Sequence, residues 1–406
     1  MKEKKPVVMK KDKRSGKITY VAYEKPYVDG PVNLRYMPET VRSLARACLL
    51  GGAIGDAMGA PIEFLTLAEM RQRYGAMGVT DFVADRWPAG SITDDTQMTL
   101  FTAEGMIRAK MRAIHKGIVH GPSVVCNAYL RWLMTQDVEP SFDLHDGKFG
   151  LLLSIPELHA RRAPGNTCLS ALQSMTTIMG DTANNSSKGC GGVMRMAPVG
   201  LLDAKNSPGR WEAGAGQWAF KMGRDFAALT HGHPTGYLAA ATFAVIIGAL
   251  ASGAPLGEAI SIAKALLIRE EHHHETLVAI NRAVEAAAAG PASAETVETL
   301  GGGWVAEEAL SIGLYCATIA RTFEEGVLLA VNHSGDSDST GSIAGNLLGL
   351  IHGEGALPRT WLDRLELKAL IARVAEDMID CQDFRSVSAD SQDSYDKLCW
   401  DLYPGY

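Results

Sequence analysis

Two short acidic stretches carry most of the chemistry this sequence offers. Thr93-Asp94-Asp95-Thr96 follows the turn-like Trp87-Pro88-Ala89-Gly90 and opens an apolar, periodic run from Met98 to Met106. About 240 residues later Asp336-Ser337-Asp338-Ser339 repeats the theme before another apolar stretch. Asp and Ser at helix starts are ordinary caps, favoured by the free N–H groups and the helix dipole, so either stretch alone reads as a cap. Together they supply four carboxylates, and gathered anions raise one another's pKa unless a cation joins them. The donors are all oxygens, with Thr93 and Ser339 adding hydroxyl or backbone oxygen, which selects Mg²⁺, Mn²⁺ or Ca²⁺ over zinc. The spacing is not that of an EF-hand. Two ions bridged by an aspartate would use these carboxylates efficiently and would also take vicinal hydroxyls. Glu63 lies just past Pro61, and serves either as solvated surface or as a third acidic component.

These residues need elements to hold them. A helix is expected from Val41 to Met58, yet Gly51-Gly52-Ala53-Ile54-Gly55-Asp56-Ala57-Met58-Gly59 places four glycines in nine positions. Each weakens a helix by roughly 1 kcal/mol relative to alanine, so the stretch must serve close backbone approach. It is not a Rossmann fingerprint or a phosphate loop, because the preceding segment is helical and no GKS or GKT follows. Further helices are expected over 67–74, 95–110, 121–135, 167–179, 212–229, 237–251, twice within 259–289, over 305–320 and 323–331, after Ser339, and over 363–379. Clean alternation is rare and no regular strand–helix repeat occurs, so the body reads as all-α, one large domain from residue 36 to 406.

Between these helices, Asn184 to Arg195 is a loop of glycines and small polar residues. Its backbone can cradle a phosphate or sugar, or simply connect helices. Thr230-His231-Gly232-His233-Pro234 lacks a third soft ligand, so its histidines suit a helix junction or pocket wall better than zinc. His272-His273-His274 reads as a solvated face. Trp400, Tyr403 and Tyr406 are expected to pack back on the body or line a cleft.

Residues 1–35 differ from the rest. This arm carries a net charge of +6 and the remainder −13. Val7-Val8-Met9 and Ile18-Thr19-Tyr20-Val21 flank a polar turn, giving a hairpin or a disordered tail. The arm acts either as a solubilising extension or as a docking element for an acidic surface. The overall charge of −7 argues against generic nucleic-acid binding, leaving room for a local basic patch. Hydrophobic residues make up 47%, enough for a substantial core. No uninterrupted apolar run of membrane-spanning length occurs, and Met1-Lys2-Glu3-Lys4-Lys5 has no apolar signal core. Seven cysteines without a CxxC pair suit a reducing compartment. A cytoplasmic monomer is the expectation.

The ordered set Gly55-Asp56-Ala57-Met58-Gly59 with Glu63, Thr93-Asp94-Asp95-Thr96, Gly189-Cys190-Gly191-Gly192-Val193-Met194-Arg195, Thr230-His231-Gly232-His233-Pro234 and Gly335-Asp336-Ser337-Asp338-Ser339 resembles the ADP-ribosylglycohydrolase family. The resemblance implies an orthogonal all-α fold and a two-ion site, usually Mg²⁺ or Mn²⁺. Thr93, Asp94 and Asp95 match the first ligand group. Asp336, Asp338 and Ser339 match the second. Glu63 matches an acidic residue near the ions, and Asp56 an aspartate by the pocket. Gly189, Cys190, Gly191, Gly192, Val193 and Met194 match a loop holding the diphosphate and distal ribose, with His231 as a further substrate-binding position. Many members carry asparagine where this chain has Cys190, so a hydrogen bond to the ligand is either lost or replaced by one from the backbone. Ser339 replaces a common threonine and keeps the hydroxyl.

The activity so implied is metal-assisted hydrolysis of the N-glycosidic bond of ADP-ribosyl-arginine on a protein substrate. Glu63, Asp95 and Asp338 are the candidate catalytic carboxylates. Alternatives are ADP-ribosyl-serine or a small molecule as substrate, a metal-binding structural protein without catalysis, or an immunity protein whose arm blocks a cognate ADP-ribosyltransferase toxin.

Overall fold

The computed structural model describes residues 7–11, 18–22, 39–144, 150–178, 180–206, 216–381 and 394–405. Strands β1 (Val7–Lys11) and β2 (Ile18–Ala22) pair antiparallel, with Val7 opposite Ala22 and Lys11 opposite Ile18. Of the two forms open to the arm, these segments take the hairpin. The described remainder is helical and irregular, as the periodicity requires. In chain order the helices are α1 (Glu39–Gly59), α2 (Leu67–Tyr74), α3 (Asp94–Lys116), α4 (Gly121–Thr135), α5 (Asn166–Gln173), α6 (Ala197–Asn206), α7 (Gln217–Ala228), α8 (Pro234–Ala251) and α9 (Leu256–Leu267). They continue with α10 (His274–Ala289), α11 (Ala294–Leu300), α12 (Ala306–Ile319), α13 (Phe323–Val331), α14 (Ser337–His352), α15 (Arg359–Leu362), α16 (Lys368–Asp380) and α17 (Ser394–Leu402).

The glycine run of α1 finds its reason in α14. The two helices lie side by side and antiparallel, with Ala47 against Gly349, Gly51 against Gly345, Gly55 against Gly341 and Gly59 against Ser337. A Cβ on Gly55 would collide with the Gly341 carbonyl oxygen, and one on Gly51 with that of Gly345. Small residues every fourth position thus let two backbones touch. The helix-propensity cost is offset by packing neither helix could achieve with side chains in the way. This seam brings the C-terminal end of α1 to the N-terminal end of α14.

Helix α8 is the apolar centre, packed among α6, α7, α9 and α12. It starts at Pro234, earlier than expected, so its 18 residues have the length and hydropathy of a membrane span; 83% of that window is buried inside the protein. Helices α3 and α4 pair, and α16 lies across α1 and α3. Arg42 donates to Asp380 at 2.9 and 2.7 Å, tying α1 to α16. Trp400 and Tyr403 pack back onto the body as expected, Tyr403 donating its hydroxyl to Asp377 at 2.9 Å. Tyr406 lies outside the described residues.

Some boundaries differ from the sequence expectation. The helix expected over 167–179 ends at Gln173, where Ser174 caps it. Helices α6, α11 and α17 occupy stretches that gave no clear period.

Candidate active site

Asp56, one turn from the end of α1, is buried and holds the start of α3. Its carboxylate accepts the Thr93 N–H at 3.0 and 3.1 Å, the Thr93 hydroxyl at 2.8 Å, the Thr96 N–H at 3.1 Å and the Thr96 hydroxyl at 2.5 Å. The Thr93 hydroxyl also caps α3, accepting from the Asp95 N–H at 3.3 Å. Its proton directed at Asp56 leaves oxygen lone pairs as what Thr93 can offer a cation. Asp56 therefore fixes the turn that carries Asp94 and Asp95. Asp94 Oδ2 accepts from the Gly165 N–H at 3.2 Å. Asp95 Oδ2 accepts from the Ser339 hydroxyl at 3.4 Å, joining the two distant acidic stretches.

The second acidic stretch is set by Gly335, whose φ of 140° and whose contact with the Gly302 backbone exclude a side chain. Asp336 then donates its N–H to the Gly302 carbonyl at 2.8 Å and caps α14 through Oδ1, which accepts the Ser339 N–H at 3.3 Å. Asp338 Oδ1 accepts the same N–H at 2.9 Å. Glu63 arrives from just beyond α1, and carboxylate oxygens of Glu63, Asp336 and Asp338 all lie within 4.8 Å of one another. Glu63, expected as an acid near the ions, thus belongs to a group of three carboxylates that could share one ion. Beside it a cavity of about 130 Å³ is lined by Glu63, Phe64, Arg86, Trp87 and Ser91.

The glycine loop lies against this group. Gly189 bridges to Val305, and the Cys190 N–H donates to the Trp304 carbonyl at 3.2 Å. With that amide engaged, Cys190 faces the site through its thiol, which donates to Asp336 Oδ2 at 2.7 Å. Gly189, Cys190 and Gly191 are partly exposed, whereas Gly192, Val193 and Met194 are buried. His231 is buried under the loop, its Nε2 facing Gly189 and Gly191. Its Nδ1 lies 2.9 Å from the Thr230 hydroxyl, while His233 Nδ1 caps α8 by accepting from the Thr235 N–H at 3.2 Å. The two histidines have separate structural duties.

Two features escaped the sequence reading. Arg195 is fully buried, its guanidinium 4.3 Å over the Tyr129 ring and 2.6 Å from the Thr230 hydroxyl. The only signal was a cation inside Met194-Arg195-Met196. Phe64 and Trp304, both exposed, stack with centroids 5.6 Å apart beside Glu63 and the glycine loop. No local pattern pairs residues so far apart.

The electrostatics are those of crowded anions. Burial, then Asp336 and Asp94, push the Glu63 carboxyl up to about 8 against the opposing Arg86. Burial, then Asp56 and Asp336, push Asp94 to about 8 as well. Asp95 and Asp338 are held well above the carboxylate range, chiefly by burial and then by their acidic neighbours. Burial raises Asp56 as well, but only to about 6, because the N–H and hydroxyl groups of Thr93 and Thr96 donate to its carboxylate. His231 is driven down to about 3 by burial and by Arg195, so it is a neutral imidazole. Asp95 Oδ1 is buried with no hydrogen-bond partner among the described residues. An orphaned carboxylate oxygen among mutually repelling acids, in a set dominated by oxygen donors, fits divalent cations.

The sequence matches the profile of the ADP-ribosylglycohydrolase family over residues 37–387. The ADP-ribosyl-[dinitrogen reductase] glycohydrolase of Rhodospirillum rubrum is 25% identical over 332 residues, covering 81% of this chain and 92% of that protein. The ADP-ribosylarginine hydrolase Tri1 of Pseudomonas putida (strain GB-1) is 23% identical over 349 residues, covering 84% and 80%. A solved structure titled ADP-ribosylglycohydrolase-related protein complex superposes with a TM-score of 0.60 at 25% identity, over 84% of this chain and 99% of that one. With its all-α architecture and converged carboxylates, the chain belongs to the ADP-ribosylglycohydrolase family and is a glycosidic hydrolase.

Proposed function

We propose that this protein hydrolyses the N-glycosidic bond between ADP-ribose and an arginine side chain of a protein, reversing mono-ADP-ribosylation, with two Mg²⁺ or Mn²⁺ ions as cofactors. The convergence of Glu63, Asp336 and Asp338 beside Asp95 and Ser339 carries this reading. The arginine assignment draws on the relative named an ADP-ribosylarginine hydrolase. Thr93, Asp94, Asp95, Asp336, Asp338 and Ser339 are the residues that would hold the ions. When bound, such ions supply electrostatic stabilisation of oxygen charge and a template for vicinal ribose hydroxyls.

The chain's own residues do the rest. The Gly189–Gly191 segment borders the diphosphate side, and neutral His231 supports it from below. The carboxylates stabilise positive charge developing on the ribose ring as the C1–N bond breaks. Water adds its oxygen to C1, and the departing guanidine nitrogen gains a proton. Glu63, beside Asp336 and Asp338 but outside both helix starts, is the carboxylate placed to pass protons between water and leaving group. The test compares mono-ADP-ribosyl-arginine and ADP-ribosyl-serine proteins, each with and without Mg²⁺. Release of ADP-ribose from the arginine conjugate only with the cation is expected; release from serine alone would transfer the assignment to the O-glycosidic reading.

The charge contrast between the +6 arm and the −13 body favours a second role for residues 1–35 as a docking element for an acidic partner, such as a cognate ADP-ribosyltransferase toxin. Deleting the arm should spare hydrolysis and weaken that complex; an unaffected complex would exclude the arm as its anchor.

A further inference from the structure

We propose that Cys190 is a sulfur donor to the ion held by Asp336, so that one side of the cation site is thiophilic. This rests on the ion-site reading above and adds a donor of a different chemical kind. Three observations carry it. The Cys190 thiol donates its proton to Asp336 Oδ2 at 2.7 Å, so an ion that takes the place of this proton meets both the sulfur and the carboxylate oxygen. The Cys190 backbone N–H is already held by the Trp304 carbonyl, so the side chain is what this residue presents to the site. The Ser339 hydroxyl lies 3.4 Å from Asp95 Oδ2, 3.6 Å from Cys190 Sγ and 3.8 Å from Met194 Sδ, so sulfur flanks the same hydroxyl that meets the first acidic stretch. Asp95 Oδ1, buried and without a hydrogen-bond partner among the described residues, is a further oxygen on the Ser339 side that a cation can satisfy.

Coordination exchanges the thiol proton for the ion, the proton passing to solvent. A mixed oxygen and sulfur set moves preference from Mg²⁺ toward softer divalent ions. Cysteine at this position then acts as a specificity-determining residue for the metal, with a role that neither asparagine nor serine would reproduce.

Metal-stripped full-length protein titrated with Cd²⁺ tests this by ultraviolet absorption. The wild type should develop a sulfur-to-Cd²⁺ charge-transfer band. Cys190→Ser and Cys190→Ala should lose that band and bind Cd²⁺ on the order of tenfold more weakly, a larger loss than either variant shows for Mg²⁺. A band of full intensity in C190S, or stoichiometric Cd²⁺ binding by the wild type without a band, would overturn the proposal. Mn²⁺ binding by calorimetry to wild type and Asp338→Asn separates the two levels of inference. If D338N binds Mn²⁺ as tightly as wild type, the ion site itself is wrong; if only D338N loses Mn²⁺ while the band is absent, the fault lies with Cys190 alone.

Discussion

Asp56 on α1 receives both the backbone N–H and the hydroxyl of Thr93, so the first turn of α3 hangs from a carboxylate on a different helix. The same carboxylate takes two donors from Thr96. Asp56→Ala would leave these buried donors unpaired. A loss of about 3 kcal/mol in stability is expected, at the scale of one strong charged hydrogen bond, together with weaker Mn²⁺ binding. Urea denaturation and calorimetry read the two effects. Wild-type values in both would remove the positioning role from Asp56.

Glu63 stands nearest Asp336 and Asp338 without being part of either helix start. Glu63→Gln is expected to lower turnover about 10²-fold, the range of a lost acid–base group, while holding Mn²⁺ more tightly than Asp338→Asn does. Single-turnover release of ADP-ribose against Mn²⁺ affinity makes the comparison. Equal losses of metal in both variants would make Glu63 a ligand first.

The raised carboxyls make a pH prediction. Glu63 and Asp94 titrate near 8 in the folded protein and near 4 when unfolded. Between those values the folded state keeps protons that the unfolded chain has released, so protonation favours folding. Their contribution is greatest below the unfolded pKa and declines as pH rises toward 8. Metal-stripped protein should therefore lose thermal stability between pH 5 and 8 (approximate limits set by these pKa values), and Mg²⁺ should restore it at the upper end. A melting temperature that rises across this window without metal would contradict the crowded-anion account.

The seam between α1 and α14 predicts that Gly55→Ala, which forces a methyl against the Gly341 carbonyl, costs about 1–3 kcal/mol. Ion affinity should fall with it, since the seam aligns Glu63 with Asp336. Gly257→Ala is the control, because a Cβ there meets nothing within 4 Å. Denaturation midpoints of the two variants settle the point, and equal midpoints would mean that the helices can separate without penalty.

The sequence made the helical class and much of the carboxylate set legible because both are written locally. Leu67–Tyr74, Gly121–Thr135 and Phe323–Val331 have clear periods and end signals, and their bounds agree with the structure. The α1 glycines announced a close approach, but its partner was not legible, since only the fold puts Gly341 and Gly345 opposite them. α6 begins Ala-Pro-Val-Gly and α11 has 7 residues, too little signal for a period. Asp56 read as a pocket residue, yet its carboxylate is filled by Thr93 and Thr96, a relationship between helices that no single stretch encodes. The Phe64–Trp304 stack and the Tyr129–Arg195 contact were hidden for the same reason.

The α1–α14 seam also bears on synthesis. Its two halves lie far apart in the sequence, Gly51 on α1 and Gly345 on α14. A chain emerging N-terminus first must hold an unmatched stripe of bare backbone until α14 is made. The carboxylate group of Glu63, Asp336 and Asp338 cannot assemble in any nascent fragment that stops before α14, so a product truncated ahead of that helix would lack two of its three members.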